Sequence, residues 1–346
     1  MLWNAFPLSK RALLFASIAL QWNTNIGQRL TQAEAKGFLF SQEPFAHTFS
    51  IVARDSANGE MGVAVQSHWF GVGALVSWAE VGVGVIATQS FVNKSFGPRR
   101  LALMRQGLSA QQEALDSLLK NDPGRAVRQV ALLDAKGRVA VHTGERCIAY
   151  ACQTTGTQYS VQANMMLGPD VCSAMQLAWE TSRGRPLAER LLLMLEAAQA
   201  MGGDFRGQQS AVLLIVRGQR TQTPWEDRLV DLRVDDHPSA VAELRWLYTT
   251  HPAYEYMNCG DHYLEINNID AAIREYSLAH RLLPERVELQ FWTALTLANA
   301  GQMNKALPLF AEAFKQAPIW KIVLPRLHAA ELFSVSAADM EQIMKQ

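Results

Sequence analysis

From Thr48 onward the chain alternates apolar and polar residues with the short period of β-structure. TFSIVARD, a turn at Ser56-Ala57-Asn58-Gly59, and GVAVQS read as two strands of a hairpin. GALVSWAEVGVGVIATQS reads as two further short strands meeting at Glu80, with Gly82 and Gly84 marking a bulge or a close backbone approach. The period then lengthens. In GPRRLALMRQGLSAQQEALDSLLKND the apolar positions Leu101, Met104, Leu108, Ala114, Leu115, Leu118 and Leu119 fall at helical spacing, with Ser109 as a cap and Pro123-Gly124 as the stop. Strands return in RQVALLDAKGRVAVHTG, a hairpin across Asp134-Ala135-Lys136-Gly137, and in YSVQANMMLG. Helices are predicted over about 169–181 and 186–201, followed by the buried strand QQSAVLLIVRG. Strands interleaved with helix pairs predict sheets covered by helices, an α+β layered domain.

After Asp236 the strand pattern stops. Tyr256, Gly260, Tyr263, Ala272, Tyr276, Ala279 and Pro284 stand at the offsets of a tetratricopeptide repeat, and thirty-four residues on Ala294, Leu297, Ala306, Phe310, Ala313 and Pro318 recur in phase. Small residues at Gly260/Ala294 and Ala272/Ala306 let paired helices approach closely, Asn267 and Gly301 occupy equivalent turns, and the prolines end each pair. The expectation is two repeats over 251–346, capped by Ala329 to Lys345, with the helix AVAELRWLYTTH docking them onto a first domain at 48–250.

Composition narrows the picture only a little. Of 346 residues 49% are hydrophobic and 18% charged, which is globular and ample for a core, and the length suggests two domains. Lys plus Arg and Asp plus Glu are both 32, so charge gives no argument for nucleic acid or an anionic membrane. The four cysteines (Cys147, Cys152, Cys172 and Cys259) include no CxxC pair; zinc ligation and a disulfide framework are disfavoured, and they read as small buried residues. Residues 1–47 read as a leader. Two basic residues precede an apolar run from Ala12 to Leu20, too short to span a membrane but of signal-peptide length, and the nearest small-x-small site is Ala33-Glu34-Ala35. Cytoplasmic and exported locations both fit.

HTFSIVARDSANGEMGVAVQSHWFGVGALVSWAEVGVGVIATQSFVNKSFGPRRLALM is similar to the opening of a bacterial family known as domain of unknown function 1028. DPGRAVRQVALLDAKGRVAVHTG, VQANMMLG, GGDFRGQQSAVLLIV and VDLRVDDHP follow its pattern in order, so the resemblance spans about Thr48 to Leu247. It implies an N-terminal-nucleophile hydrolase fold, a four-layer αββα sandwich, here followed by the all-α tetratricopeptide-repeat domain. It also implies chemistry on an amide: the first residue of the mature chain attacks a carbonyl while its own α-amine takes the proton. Thr48 matches that position, but it lies behind His47, so the reading requires a cut between His47 and Thr48. A free α-amine, with a pKa of roughly 7.7–8.0, suits a general base.

The supporting groups come partly from the resemblance and partly from polar residues in apolar strands. Ser67-His68 ends the second strand where many members carry Lys at the position of His68, so a lysine-assisted mechanism is in doubt; His68 is a donor to the nucleophile or a packed strand-end residue. Gln89, Asn93 and Asn164 are amides that must be hydrogen-bonded, as structural pins or as donors to a substrate carbonyl. GGDFRGQQS gathers Asp204, Arg206, Gln209 and Ser210: a braced turn or a clamp on a polar substrate, with Ser210 the second candidate nucleophile. In DLRVDDHP, alternation puts Asp231, Arg233 and Asp235 on one face, a charge-paired edge rather than a metal site. No cofactor or metal is called for.

Three functions compete. The first is an amide or peptide-bond hydrolase using Thr48, with a small amide or peptide substrate and a protein partner in the repeat groove. The second is a non-catalytic binding or scaffold protein that retains the hydrolase-like fold. The third is a scaffold acting through its repeats alone. Neither nucleic acid nor a stable membrane span is expected, and a homo-oligomer is compatible. Persistence of the leader discriminates the first two, since a blocked Thr48 amine cannot act as base.

Overall fold

The computed structural model describes residues 45–107 and 112–346. The signal-like run, the Ala33-Glu34-Ala35 site and the Ser109 cap lie outside the described residues. Eleven strands among the described residues form two antiparallel sheets. One contains β1 (Phe45–Ala46), β5 (Gly84–Phe91), β6 (Arg128–Asp134) and β7 (Val139–Thr143) in that order, with β4 (Ser77–Glu80) also paired to β5. The other runs β11 (Arg228–Val234), β10 (Ser210–Val216), β3 (Met61–Ser67), β2 (Thr48–Arg54), β9 (Tyr159–Ala163), β8 (Cys152–Gly156).

The sheets face each other because their strands are apolar on both sides, as strands buried between two layers must be. Val52, Val63, Val65, Val212 and Leu214 of one sheet meet Val85, Ala87, Ala131 and Leu133 of the other. The opposite parity of the second sheet, Phe49, Ile51, Ala64, Leu213 and Ile215, packs under helices α3 (Val171–Thr181), α4 (Leu187–Ala200) and α5 (Ala240–Glu265). Ile86, Val130 and Leu132 pack under α1 (Phe96–Arg105) and α2 (Gln112–Leu119). The order of layers is helix, sheet, sheet, helix. α4 buries Leu187, Leu191, Leu192, Met194 and Leu195, each contributing about 1.5–3 kcal/mol by leaving water. Gly84 is the close approach its pattern suggested: a Cβ there would stand 2.5 Å from the Leu133 carbonyl oxygen and strike Met104.

Beyond β11 the described chain is helical: α5, α6 (Ile269–Leu282), α7 (Val287–Asn299), α8 (Met303–Gln316), α9 (Trp320–Ala329) and α10 (Ala337–Met344). α5 packs on α6 and α7 on α8. A Cβ on Gly260 would lie 2.6 Å from the Tyr276 ring, so glycine sets how closely α5 and α6 approach. α5 is continuous through Pro252, and the expected boundary at 250/251 falls inside it; its first half covers β10 and β11 while its second half opens the helical region. No helix among the described residues is long and apolar enough to cross a membrane.

Two features were not foreseen. Phe45–Ala46, within the expected leader, is a strand, and it pairs with Phe91 and Ser90. Cys152 and Cys172 form a disulfide, correcting the expectation of four unbridged cysteines. Their separation of 20 residues carries no framework signature; the packing of α3 on β8 and β9 brings them together.

Candidate functional site

At the Thr48 end of the sandwich the apolar contact between the sheets gives way to polar side chains. On six strands the inward parity continues, but its residues change: Thr48 and Ser50 on β2, Ser67 on β3, Gln89 on β5, Gln129 on β6, Gln162 on β9 with Asn164 just beyond it, Ser210 on β10. All are at most 1% exposed, so each hydroxyl and amide must find a partner inside the protein.

They find one another. Ser50 Oγ donates to Gln89 Oε1 at 2.5 Å and accepts from Gln162 Nε2 at 2.6 Å. Gln89 Nε2 donates to Gln129 Oε1 (2.7 Å) and to the Thr48 carbonyl (3.1 Å). Asn164 Nδ2 donates to Gln129 Oε1 at 2.8 Å, and the Asn164 backbone N–H to the Thr48 carbonyl at 3.1 Å. Asn164 Oδ1 lies 2.7 Å from His47 Nδ1; an amide oxygen only accepts, so Nδ1 carries the proton. Burial pushes the His47 imidazole below its ordinary value, opposed by the Asn164 hydrogen bond, while Arg206 pushes down and Asp204 up. His47 is accordingly neutral at pH 7.

The His47–Thr48 peptide crosses from one sheet to the other, between β1 and β2. Its carbonyl, on His47, accepts from Ser67 Oγ at 2.6 Å and from Arg206 Nη2 at 3.2 Å. Arg206 is aimed by Asp204, fully buried in its side chain, which takes Nε and Nη2 at 3.0 and 2.6 Å. Thr48 Oγ1 donates to the Ala46 carbonyl at 2.7 Å, and the Thr48 nitrogen is still part of a peptide bond. Two non-glycine residues with left-handed backbone flank the site, Ser90 at φ 68° and Met165 at φ 63°. Such strain persists where surrounding contacts over-determine the conformation, commonly at functional sites.

The structure therefore brings Thr48, Ser67, Gln89, Asn164, Asp204 and Arg206 together. Asn164 is engaged as a pin in this state, both ends of its amide being used. His68 follows Ser67 with the opposite parity and makes no hydrogen bond among the described residues; its Nδ1 is buried. Asn93 stands apart, accepting from Ser95 N and Oγ at the start of α1. Gln209 reaches Asp236 at 3.1 Å on the surface. Ser210 donates to the Trp69 carbonyl at 2.5 Å and accepts from Val72 N–H at 3.1 Å, so its hydroxyl fixes the loop after β3. Asp231 is bracketed by Arg228 and Arg233 at 2.6 and 2.8 Å, the charge-paired edge expected of β11. Sequence reasoning missed Ser50, Gln129 and Gln162. The signal was present: each is a polar residue in an otherwise apolar strand, the criterion that singled out Asn164.

Comparison with known proteins adds a family but no activity. A crystal structure of a protein from Silicibacter pomeroyi, itself assigned to DUF1028, superposes with a TM-score of 0.52 at 30% identity, covering 58% of this chain and 84% of that one. No curated protein matches. The profile of the family of unknown function DUF1028 matches residues 48–244, beginning at Thr48 itself, and the chain belongs to that family.

Proposed function

We propose that the chain is an amide or peptide-bond hydrolase of the N-terminal-nucleophile type, here in its uncut form, with Thr48 as nucleophile. The observation that carries the reading is the double hydrogen bond from Ser67 and Arg206 to the His47 carbonyl. That carbonyl belongs to the one bond whose cleavage would free the Thr48 amine. Donors aimed where charge develops are the strongest single aid to acyl transfer.

In the first reaction Thr48 Oγ attacks the His47 carbonyl carbon. The C–O bond forms, the C–N bond to Thr48 breaks, and the hydroxyl proton ends on the released amine. Water then hydrolyses the His47–Thr48 ester, giving a His47 carboxylate and a free Thr48. Departure of the segment vacates Ser67 and Arg206, which then receive a substrate carbonyl in the same place. The Thr48 amine takes the proton from its own hydroxyl and passes it to the leaving amine; the Arg206 charge nearby lowers the amine's pKa and keeps more of it neutral. Exposed Phe70, Tyr150, Leu167 and Phe205 sit on the loops at this end and suit an amide with an apolar flank.

The four-layer hydrolase sandwich over 48–250 and two tetratricopeptide repeats over 251–346, with a groove for a protein partner, belong to the same proposal. Buried Ala272, Tyr276, Ala279, Ala294, Ala306, Phe310 and Ala313 support the repeat assignment. The pairing of β1 with β5 favours the other reading, a binding protein that keeps its segment as part of the sheet. Intact-mass measurement and N-terminal sequencing of the purified full-length chain discriminate the two. A mature start at Thr48 that Thr48→Ala abolishes supports the hydrolase; a chain that keeps residues before Thr48 sinks the free-amine mechanism.

A further inference from the structure

The far end of the second sheet holds a different kind of site. Arg54 closes β2 six positions after Thr48, so the two ends stand about 20 Å apart at roughly 3.3 Å per residue. There Arg54, Arg183, Arg185 and Arg190 line one cleft of ≈ 470 Å³ with Asp55 and Trp179.

These guanidiniums are short of carboxylates. Arg54 donates from Nη1 to the neutral Gln158 Oε1 at 2.9 Å, while its Nε is buried without a partner among the described residues. The Arg190 guanidinium lies 3.3 Å over the Trp179 ring and donates to the Trp179 carbonyl at 3.0 Å and to Ser182 Oγ at 3.4 Å. Those contacts use Nη2 and Nε and leave Nη1 without a partner among the described residues. Arg183 makes no ion pair among the described residues, and Arg185 only a loose one, 3.7 Å from a Glu189 that Arg245 also holds. Asp55 is the one carboxylate among the described residues that line the cleft, and its Oδ1 accepts from the Ala57 N–H at 2.8 Å. Burial pushes the Arg190 guanidinium below its ordinary value; Asp55 pulls it up and Arg183 pushes it down. Arg54 and Arg190 are half-buried with unused donors, which is costly unless an anion completes them, while Arg183 and Arg185 are exposed at the cleft.

We propose that this cleft binds a phosphate-bearing small molecule, at a site separate from Thr48. Four guanidiniums against one carboxylate favour a dianion over a single carboxylate. A phosphate presents three oxygens to several donors at once, and Ser56 and Thr157, which also line the cleft, add hydroxyls to the donor set. The volume exceeds what a phosphate needs and leaves room for a polar body beside Gln158.

The test is isothermal titration of the full-length chain with inorganic phosphate, pyrophosphate and succinate at matched ionic strength, on wild type, Arg183→Gln and Arg54→Gln. Saturable pyrophosphate binding is expected, at least about tenfold tighter than succinate. It should weaken about tenfold in each variant, as loss of a charge-assisted hydrogen bond implies, and fall with added salt. Arg183 is exposed, so its variant keeps the fold, which thermal melting checks. Thr48→Ala should bind as wild type does, which separates this site from the hydrolase reading. Absence of saturable binding, succinate binding as tightly as pyrophosphate, or unchanged affinity in both arginine variants would each overturn the proposal.

Discussion

Ser67→Ala separates a catalytic from a structural role for the hydroxyl at the His47 carbonyl. Ser67 is fully buried, and its backbone is held independently of its side chain: β3 pairs it with Thr48 on one side and Ser210 on the other, and its carbonyl takes the Gln209 N–H at 3.1 Å. The substitution therefore removes little besides the 2.6 Å hydrogen bond. In the uncut chain that bond is worth about 1 kcal/mol net, and Arg206 still satisfies the carbonyl. If the carbonyl becomes an oxyanion during cleavage, the same donor is worth about 2.7–4 kcal/mol, or roughly 10²–10³ in rate. The two numbers are read by different experiments. Urea melts of Thr48→Ala with and without Ser67→Ala give the stability cost in chains that cannot cut. A time course of intact mass after purification gives the cleavage rate of Ser67→Ala against wild type. A loss of about 1 kcal/mol in stability with at least a hundredfold slower release is expected. Release at the wild-type rate would refute the reasoning, because the hydroxyl would then be only a pin.

The other predictions concern what holds the site. Asn164→Leu, near in volume but unable to accept from His47, should cost about 1–3 kcal/mol by removing the acceptor of the buried His47 Nδ1–H, while Gln129 Oε1 keeps its bond from Gln89; it is read as a fall in the urea midpoint at constant slope. Reducing the Cys152–Cys172 bridge, which closes a separation of 20 residues, should cost about 3 kcal/mol on the loop-entropy estimate; melting with and without a reductant checks it. His47 has a folded-state pKa below its ordinary 6.5, so the unfolded chain binds the proton first as pH falls. Its contribution is complete above about pH 6.5 and is lost as pH drops through the folded value. In the uncut Thr48→Ala chain, His47→Gln should flatten that part of the stability profile; an unchanged slope would show that His47 is not buried neutral.

Much of the site was legible as parity, and what was missing was the stacking of strands. In TFSIVAR the inward positions are Thr48, Ser50 and Val52; in MGVAVQS they are Met61, Val63, Val65 and Ser67; in GVIATQSF they include Val85, Ala87 and Gln89. Each strand thus turns polar toward one end on the face that meets the other sheet. Periodicity shows that each strand does this, but not that the polar ends coincide, because coincidence depends on sheet order and register, which are long-range pairings. The same limit hid the bridge between Cys152 and Cys172 and the strand at Phe45–Ala46: two residues have no period, and only their partners on β5 make them a strand. That short strand also recasts the problem of Thr48. If residues 45–47 merely trailed away, any protease could expose the threonine. Because Ala46 and His47 are fully buried, Ala46 pairing with Ser90 and His47 held by Asn164, Ser67 and Arg206, the bond before Thr48 is closed to an outside enzyme while the fold is intact. A cut made after folding must therefore come from groups already inside, and Thr48, Ser67 and Arg206 are the ones in reach.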